Sequence, residues 1–348
     1  MSSFSPNTLK DMKIPVSIGW LLGICMEGKG KQELWYSRKP ESLDALRELA
    51  IIQSAESSNR IEGVTVSPKR LRPVLLEGAR PMDRSEEELV GYRNALDWIH
   101  TSHEKIPVTP KTVLRLHEMA QGGFSGDAGK WKARNNEIIE IMPSGERRVR
   151  FIPVTPEKVP AAMDQLCLGY SEAWQQDRLA PLLASASFVL DFLCIHPFRD
   201  GNGRISRLLT LLLLYHHGYQ VGRFISLERI VEQGKETYYE ALAASSRGWH
   251  EKKHDLIPWW NFFLSTVKQA HGELEKRLEI ADTGMGKTDI IRQVVERETG
   301  AFALSQIAAK CPSVSTQLIK KVLHDMKEEG LVRLEGRGRG ARWRTVDR

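Results

Sequence analysis

The stretch that decides the reading of this 348-residue chain is His196-Pro-Phe-Arg-Asp-Gly-Asn-Gly-Arg-Ile-Ser-Arg207, set between two strongly apolar runs. Upstream, Pro181–Ile195 is almost wholly apolar, the pattern of a buried central helix. Downstream, Ile205–His217 carries Leu208, Leu209 and Leu211 to Leu214. A helix ending ahead of Pro197 leaves His196 at a helix-to-loop junction. Gly201-Asn202-Gly203 can turn successive N–H groups inward as an anion nest. The following helix points its free N–H groups and positive dipole end at the same spot. Arg204 and Arg207, three apart, share a face of its first turn and can reach polyphosphate oxygens. Asp200 offers a hard oxygen ligand for a Mg2+ ion bridging phosphates, and His196 is able to take a proton from a hydroxyl near neutral pH. These parts, gathered in one short stretch, describe phosphoryl or nucleotidyl transfer rather than a surface loop rich in Gly and Arg.

Outward from this stretch the chain reads as mainly α. Helices are expected over Ser42–Ile61, Ser85–His103, Pro110–Gln121, Pro160–Gln175, Thr237–Ser246 and Pro258–Glu279. Between Asn135 and Pro153, Ile138, Ile139 and Ile141, then Met-Pro-Ser-Gly-Glu, then Val149 and Phe151 read as two short strands around a turn. A break at Asp282–Gly286 precedes helices over Lys287–Glu298, Ser305–Lys310 and Ser315–Glu329. Strands over Leu331–Leu334 and Arg342–Val346 follow, in the order of a winged helix-turn-helix. The expected divisions are 1–110, 111–281 and 284–348.

The 196–207 stretch resembles the Fic signature HxFx(D/E)GNGRxxR at every specified position. The resemblance implies a Fic-type helical core with a small β-hairpin flap, and transfer of AMP from Mg-ATP to a Ser, Thr or Tyr hydroxyl of a target protein. It assigns His196 as general base, Asp200 to Mg2+, Asn202 with the Gly201 and Gly203 backbone to phosphates, and Arg204 and Arg207 to the β/γ end. Branches of the superfamily with other chemistry replace the Gly201 position by Ala; this chain keeps the adenylylating form. The 135–151 hairpin sits where family members have a flap that pins the target. Tyr238-Tyr239-Glu-Ala-Leu resembles the family segment near adenine, although the Tyr pair reads equally well as core packing.

A second motif, Ser58-Asn-Arg-Ile-Glu62-Gly63, matches the family's inhibitory pattern (S/T)xxxE(G/N). Ser58 and Glu62 are four apart and share a helical face. Glu62 is expected to pair with Arg207 and to occupy the space of the γ-phosphate. Two alternatives stay open: a de-AMPylating hydrolase in which Glu62 positions water, and a DNA-binding regulator whose core only senses nucleotide.

The formal net charge is +6, with 41% hydrophobic and 27% charged residues, the balance of an ordinary globular protein. From Gly284 onward thirteen Lys/Arg face eight Asp/Glu, so the basic excess lies in the C-terminal part. There Ser315, Thr316, Gln317, Lys320 and Lys321 would face a groove and Arg337, Arg339, Arg342 and Arg344 would decorate a wing. DNA and a second protein are both candidate partners of 284–348. The sequence is compatible with a homodimer without indicating one. Cys25, Cys167, Cys194 and Cys311 are scattered and read as reduced thiols of a cytoplasmic protein. Ile14–Met26 contains Pro15, lacks a cleavage site and is too short for a span, so neither secretion nor a membrane is expected. Ala281–Thr288 resembles a relaxed P-loop but follows no strand, and Trp259 and Trp260 read as core.

Overall fold

The computed structural model describes the chain apart from residues 1, 6–7, 9–11, 39, 123–125, 142–146, 283–286, 297, 299, 312–313, 337–340 and 347–348. The hairpin turn, the centre of the P-loop-like segment and two of the wing arginines, Arg337 and Arg339, therefore lie outside the described residues. The chain divides into two compact units, Met1–Leu274 and Glu275–Arg348.

The larger unit is helical: α1 (Val16–Arg38), α2 (Pro40–Ile61), α3 (Pro68–Leu76), α4 (Arg84–Ser102), α5 (Pro110–Gln121), the hairpin β1 (Ile138–Ile141) and β2 (Arg147–Phe151), then α6 (Val159–Gln175), α7 (Pro181–Ile195), α8 (Asn202–His216), α9 (Leu227–Gln233), α10 (Lys235–Ser246) and α11 (Ile257–Asp282). Helix α11 continues past the division between the units. The α7 helix is buried along its whole length after Pro181, which is why its sequence shows no polar face. It packs between α6 and α8, while α2, α4 and α5 cover the sides of α8. Trp259 and Trp260 donate their indole N–H groups to Ala186 O (2.7 Å) and Ser187 Oγ (3.0 Å) on α7, so both are core residues with satisfied polar tips.

Local chemistry sets several helix starts. Asp83 accepts from the Glu86 N–H at the head of α4, and Thr109 from the Thr112 N–H at the head of α5, where Pro110 occupies the first helical position. The pattern of expected helices omits α3 and α9. Both begin with a serine cap position, Ser67 followed by Pro68 and Ser226 accepting from the Arg229 N–H, but each is too short to establish an apolar period. Helix α1 runs beyond the apolar stretch 14–26, through Gly28 and Gly30, and the lack of a side chain at Gly28 lets the His271 ring lie against it. No described helix is long and apolar enough to cross a membrane.

The smaller unit holds α12 (Lys287–Glu296), α13 (Leu304–Lys310), α14 (Thr316–Glu328) and the antiparallel pair β3 (Val332–Glu335) and β4 (Arg342–Thr345). Ile291, Val295, Phe302, Ile307, Val322 and Leu323 are among its core residues. Phe302 exchanges both backbone hydrogen bonds with Trp343 at 2.8 Å, adding a bridge to the sheet edge. All four cysteines are buried and free. Burial pushes the Cys25 and Cys167 thiols up to about 12, which leaves them unreactive.

Candidate active site

Two left-handed residues shape the turn between α7 and α8. His196 ends α7 at φ +51°, and Gly201 precedes α8 at φ +81°. The positive φ is what favours glycine at 201; a Cβ there would lie 2.6 Å from Gln121 Nε2, the end of a side chain that could shift. The strained His196 backbone is what turns its ring out of the helix. Its Nδ1 lies 3.2 Å from Leu193 O. A carbonyl only accepts, so Nδ1 carries the proton and Nε2 is left as the basic nitrogen. Burial is the main cause that lowers the imidazole to about 4, so it is neutral at physiological pH.

Three contacts hold the loop between the helices. Asn202 accepts from the Phe198 N–H (3.0 Å) and donates to Phe198 O (2.8 Å), which staples the turn shut. Asp200 Oδ1 accepts from the Gly201 N–H at 2.6 Å. His117 stacks on Phe198, ring centroids 3.7 Å apart. Its Nδ1 accepts from the Gly129 N–H (3.0 Å), so Nε2 is the donor facing Asp200 O at 3.1 Å. Nothing in the sequence singles out His117; an isolated histidine on α5 carries no spacing signal.

Arg204 and Arg207 have different surroundings. Arg204 is buried and donates to Glu88 Oε2 at 2.7 Å, with Asp200 Oδ2 at 3.7 Å. In this geometry it ties α8 to α4. Arg207 faces α2: its Nε donates to Ser58 Oγ (2.8 Å), and Nη2 to Ser58 O (2.9 Å) and Glu62 Oε1 (2.8 Å). Burial is the largest single influence and works against its charge, but Glu62, Tyr92 and Tyr238 together outweigh it and raise Arg207 above its ordinary value. Glu62 also crowds Gly203, where a Cβ would overlap Glu62 Oε1. Gly63 closes α2 at φ +83°, and Lys235 Nζ donates to Ile61 O (3.0 Å) at the same helix end.

A cavity of about 440 Å³ opens among these groups, within the range of small-ligand sites. His196, Glu62 and Gly203 are among its polar lining, and Ile138, Leu193 and Leu242 among its apolar lining. Tyr238 and Tyr239 both border it, but Tyr238 is buried against Trp259 and Phe262, whereas Tyr239 is half-exposed. Core packing therefore describes Tyr238 and a wall position describes Tyr239. Arg150 of β2 also lines the cavity, which the spacing of the hairpin residues does not foretell. The N–H groups of Asn202, Gly203 and Arg204 have no intrahelical acceptor by geometry, so the head of α8 suits an anion. Asp200 keeps a largely exposed carboxylate beside that head. A single hard oxygen donor fits a Mg2+ ion that takes its other ligands from phosphate and water.

In the smaller unit, Ile319, Val322, Leu323 and Met326 of α14 face inward, which leaves Ser315, Thr316, Gln317, Lys320 and Lys321 exposed. Arg344 pairs with Glu335 at 3.0 Å, so part of the charge on the β3–β4 pair is neutralised; Arg342 is exposed.

Residues 107–214, from the head of α5 to near the end of α8, match the Fic/DOC family. The chain is 30% identical over 241 residues to the "Protein adenylyltransferase Fic" of Drosophila melanogaster, covering 66% of this chain and 44% of that protein. The protein of the same name from Aedes aegypti is 27% identical over 231 residues, 63% of this chain and 41% of that protein. The chain thus spans less than half the length of these curated relatives. Among solved structures, a Fic family protein from Desulfovibrio desulfuricans aligns over 97% of this chain and 98% of its own, with a TM-score of 0.62 at 19% identity. A Fic-domain signaling protein from Bacteroides thetaiotaomicron aligns over 75% of this chain and 96% of its own, with a TM-score of 0.60 at 22% identity. At these identities the two structures share the fold.

Proposed function

We propose that this chain, which belongs to the Fic/DOC family, transfers AMP from Mg-ATP to a Ser, Thr or Tyr hydroxyl of a target protein and is restrained by Glu62. The observation that carries the reading is one cavity bordered by a neutral His196, the head of α8 and the Glu62 carboxylate bound to Arg207. In this reading Nε2 of His196 takes the proton of the attacking hydroxyl while Leu193 O fixes the ring through Nδ1. The N–H groups of Asn202 and Gly203 receive phosphate oxygens, with the Asn202 side chain acting on the loop through Phe198. Asp200 would hold the Mg2+ ion, which neutralises phosphate charge when bound. Arg204, through Glu88, is a positioning residue. Arg207 is the cation left to meet the terminal phosphates, and Glu62 competes with them for it.

The transfer balances simply. The hydroxyl oxygen bonds to the α-phosphorus, the bond to the bridging oxygen of pyrophosphate breaks, and the proton passes to His196. The β1–β2 hairpin borders the same cavity, so a target segment laid along it would bring its hydroxyl to His196. A second reading, removal of AMP by water, is favoured by Glu62 and His196 bordering one cavity, where the carboxylate could orient the water. For residues 284–348 we propose duplex DNA as partner, through the exposed α14 face.

Labelled-ATP assays of wild type, Glu62→Gly and Glu62→Gly/His196→Ala test the main reading. Glu62→Gly should raise incorporation strongly, and the added His196→Ala should remove it. Equal incorporation by wild type and Glu62→Gly rejects the brake. Retained incorporation in the double variant rejects the base.

A further inference from the structure

The hairpin contains an irregularity with a chemical consequence. Ile138 pairs with Phe151 and Ile139 with Val149, so Arg150 is the extra residue of a β-bulge and has no partner across the ladder. Bulges recur beside active sites because they re-aim one side chain out of the strand alternation. Here the side chain is aimed into the cavity that holds His196. Arg150 Nε is buried and has no hydrogen-bond partner among the described residues. Its charge is felt by Tyr239 on α10 and by Cys194 on α7. A guanidinium N–H withdrawn from water without an acceptor is costly, and the cost disappears once a ligand supplies the acceptor.

The lining of the cavity says which part of a ligand that is. Gly203, the head of α8 and the Glu62–Arg207 pair suit phosphate. Ile138, Leu193 and Leu242 supply apolar surface suited to the faces of a flat heterocycle, and the half-exposed Tyr239 ring feels the charges of Glu62 and Arg207 as well as that of Arg150. A nucleotide carries the same two kinds of group. Arg150 stands in the hairpin between the Ile138–Phe151 and Ile139–Val149 pairs, next to Ile138 of that apolar lining, where the acceptors a nucleotide offers are in-plane nitrogens or oxygens of its base.

The geometry points to Arg150 as the residue that reads the nucleobase, by donating from its guanidinium to an acceptor on the base edge. This rests on the nucleotide site proposed above and adds its specificity. A guanidinium offers a planar fork of donors, whereas a lysine in its place would offer a point charge without that direction. Base choice is thereby assigned to the hairpin, the same element that would hold the target.

The test is equilibrium binding, which needs no turnover. The full-length Glu62→Gly chain and its Arg150→Met and Arg150→Lys derivatives are titrated calorimetrically with a non-hydrolysable ATP analogue, its 1-, 3- and 7-deaza forms, and tripolyphosphate. Arg150→Met should weaken the ATP analogue about tenfold or more and leave tripolyphosphate unchanged, which also reports an intact fold. Arg150→Lys should recover only part of the loss. One deaza form should bind the Arg150 chain about tenfold more weakly than the parent analogue, and that penalty should vanish in Arg150→Met. The inference is overturned if Arg150→Met binds the ATP analogue as tightly as its parent, or if the loss extends equally to tripolyphosphate. It is overturned too if only the KM for a protein target changes, which would make Arg150 a reader of the target. Absence of AMP transfer would instead remove the proposed activity and leave the base contact standing.

Discussion

His196 combines two constraints that one residue rarely meets. Its left-handed backbone turns the ring away from α7, and its bond to Leu193 O leaves Nε2 as the base. Because burial lowers its value to about 4, the neutral, proton-accepting form dominates above that pH. The sign follows: falling pH protonates His196 and removes the proposed base, and Glu62 is one of the charges that raise the ring, so kcat/KM of the Glu62→Gly variant should be level from about pH 5 to 7 and fall only at or below the wild-type value of about 4. A midpoint near the ordinary histidine value would mean that the ring is solvated in the working enzyme. Arg207 is the other decisive residue. Ser58 and Glu62 together satisfy Nε and Nη2, so the proposed brake is a hydroxyl, a carbonyl and a carboxylate, all from one face of α2.

At the scale of elements, α2 carries that face further than the inhibitory motif. Ser54, one turn before Ser58, donates to Glu228 of α9 at 2.6 Å, and Glu228 also accepts from Tyr92 OH (2.9 Å) and Ser226 Oγ (3.2 Å). Outside, Arg60 pairs with Glu232 of the same helix through two bonds, one of 3.0 Å. Helix α2 is thus held to α9 as well as to Arg207. Glu228→Ala removes the shared acceptor of three buried hydroxyl groups, of which Ser226 keeps the bond it accepts from the Arg229 N–H, and should lower unfolding stability by about 2–4 kcal/mol. Because α2 loses its inner clamp, basal AMP transfer should rise as well. Urea unfolding together with the labelled-ATP assay checks both, and unchanged activity would show that the Glu62–Arg207 contact holds α2 alone. Spacing places Ser58 and Glu62 on one helical face and gathers the 196–207 groups at one turn, while the inhibitory part expected of Glu62 came from the resemblance to the Fic pattern. Glu228, Glu88 and His117 were not. Each acts through a partner more than eighty residues away in sequence, and short α9 offers no period to announce it. Arg150 was hidden for another reason, since a bulge inverts the direction that strand alternation would assign.

At the scale of the molecule, the smaller unit has its own core and an exposed α14 face with Lys320 and Lys321. If that face meets duplex DNA, affinity of the full chain should fall steeply with salt. Lys320→Ala/Lys321→Ala should lower the slope of log K against log salt by roughly two, about one for each phosphate no longer neutralised. No binding at low salt would assign the face to a protein partner. The order of helices and strands in this unit was readable from periodicity. The Arg344–Glu335 pair, which mutes part of the wing, was visible only in three dimensions. Movement of the α-phosphoryl group with its nucleoside, proposed for the cavity at His196, is checked by incubating the Glu62→Gly chain and a cell lysate with ATP labelled at the α-phosphate and, in parallel, at the γ-phosphate. Protein should acquire the α-label and no γ-label, and His196→Ala should abolish it. Incorporation of γ-label, or of no label from either substrate, would contradict the account.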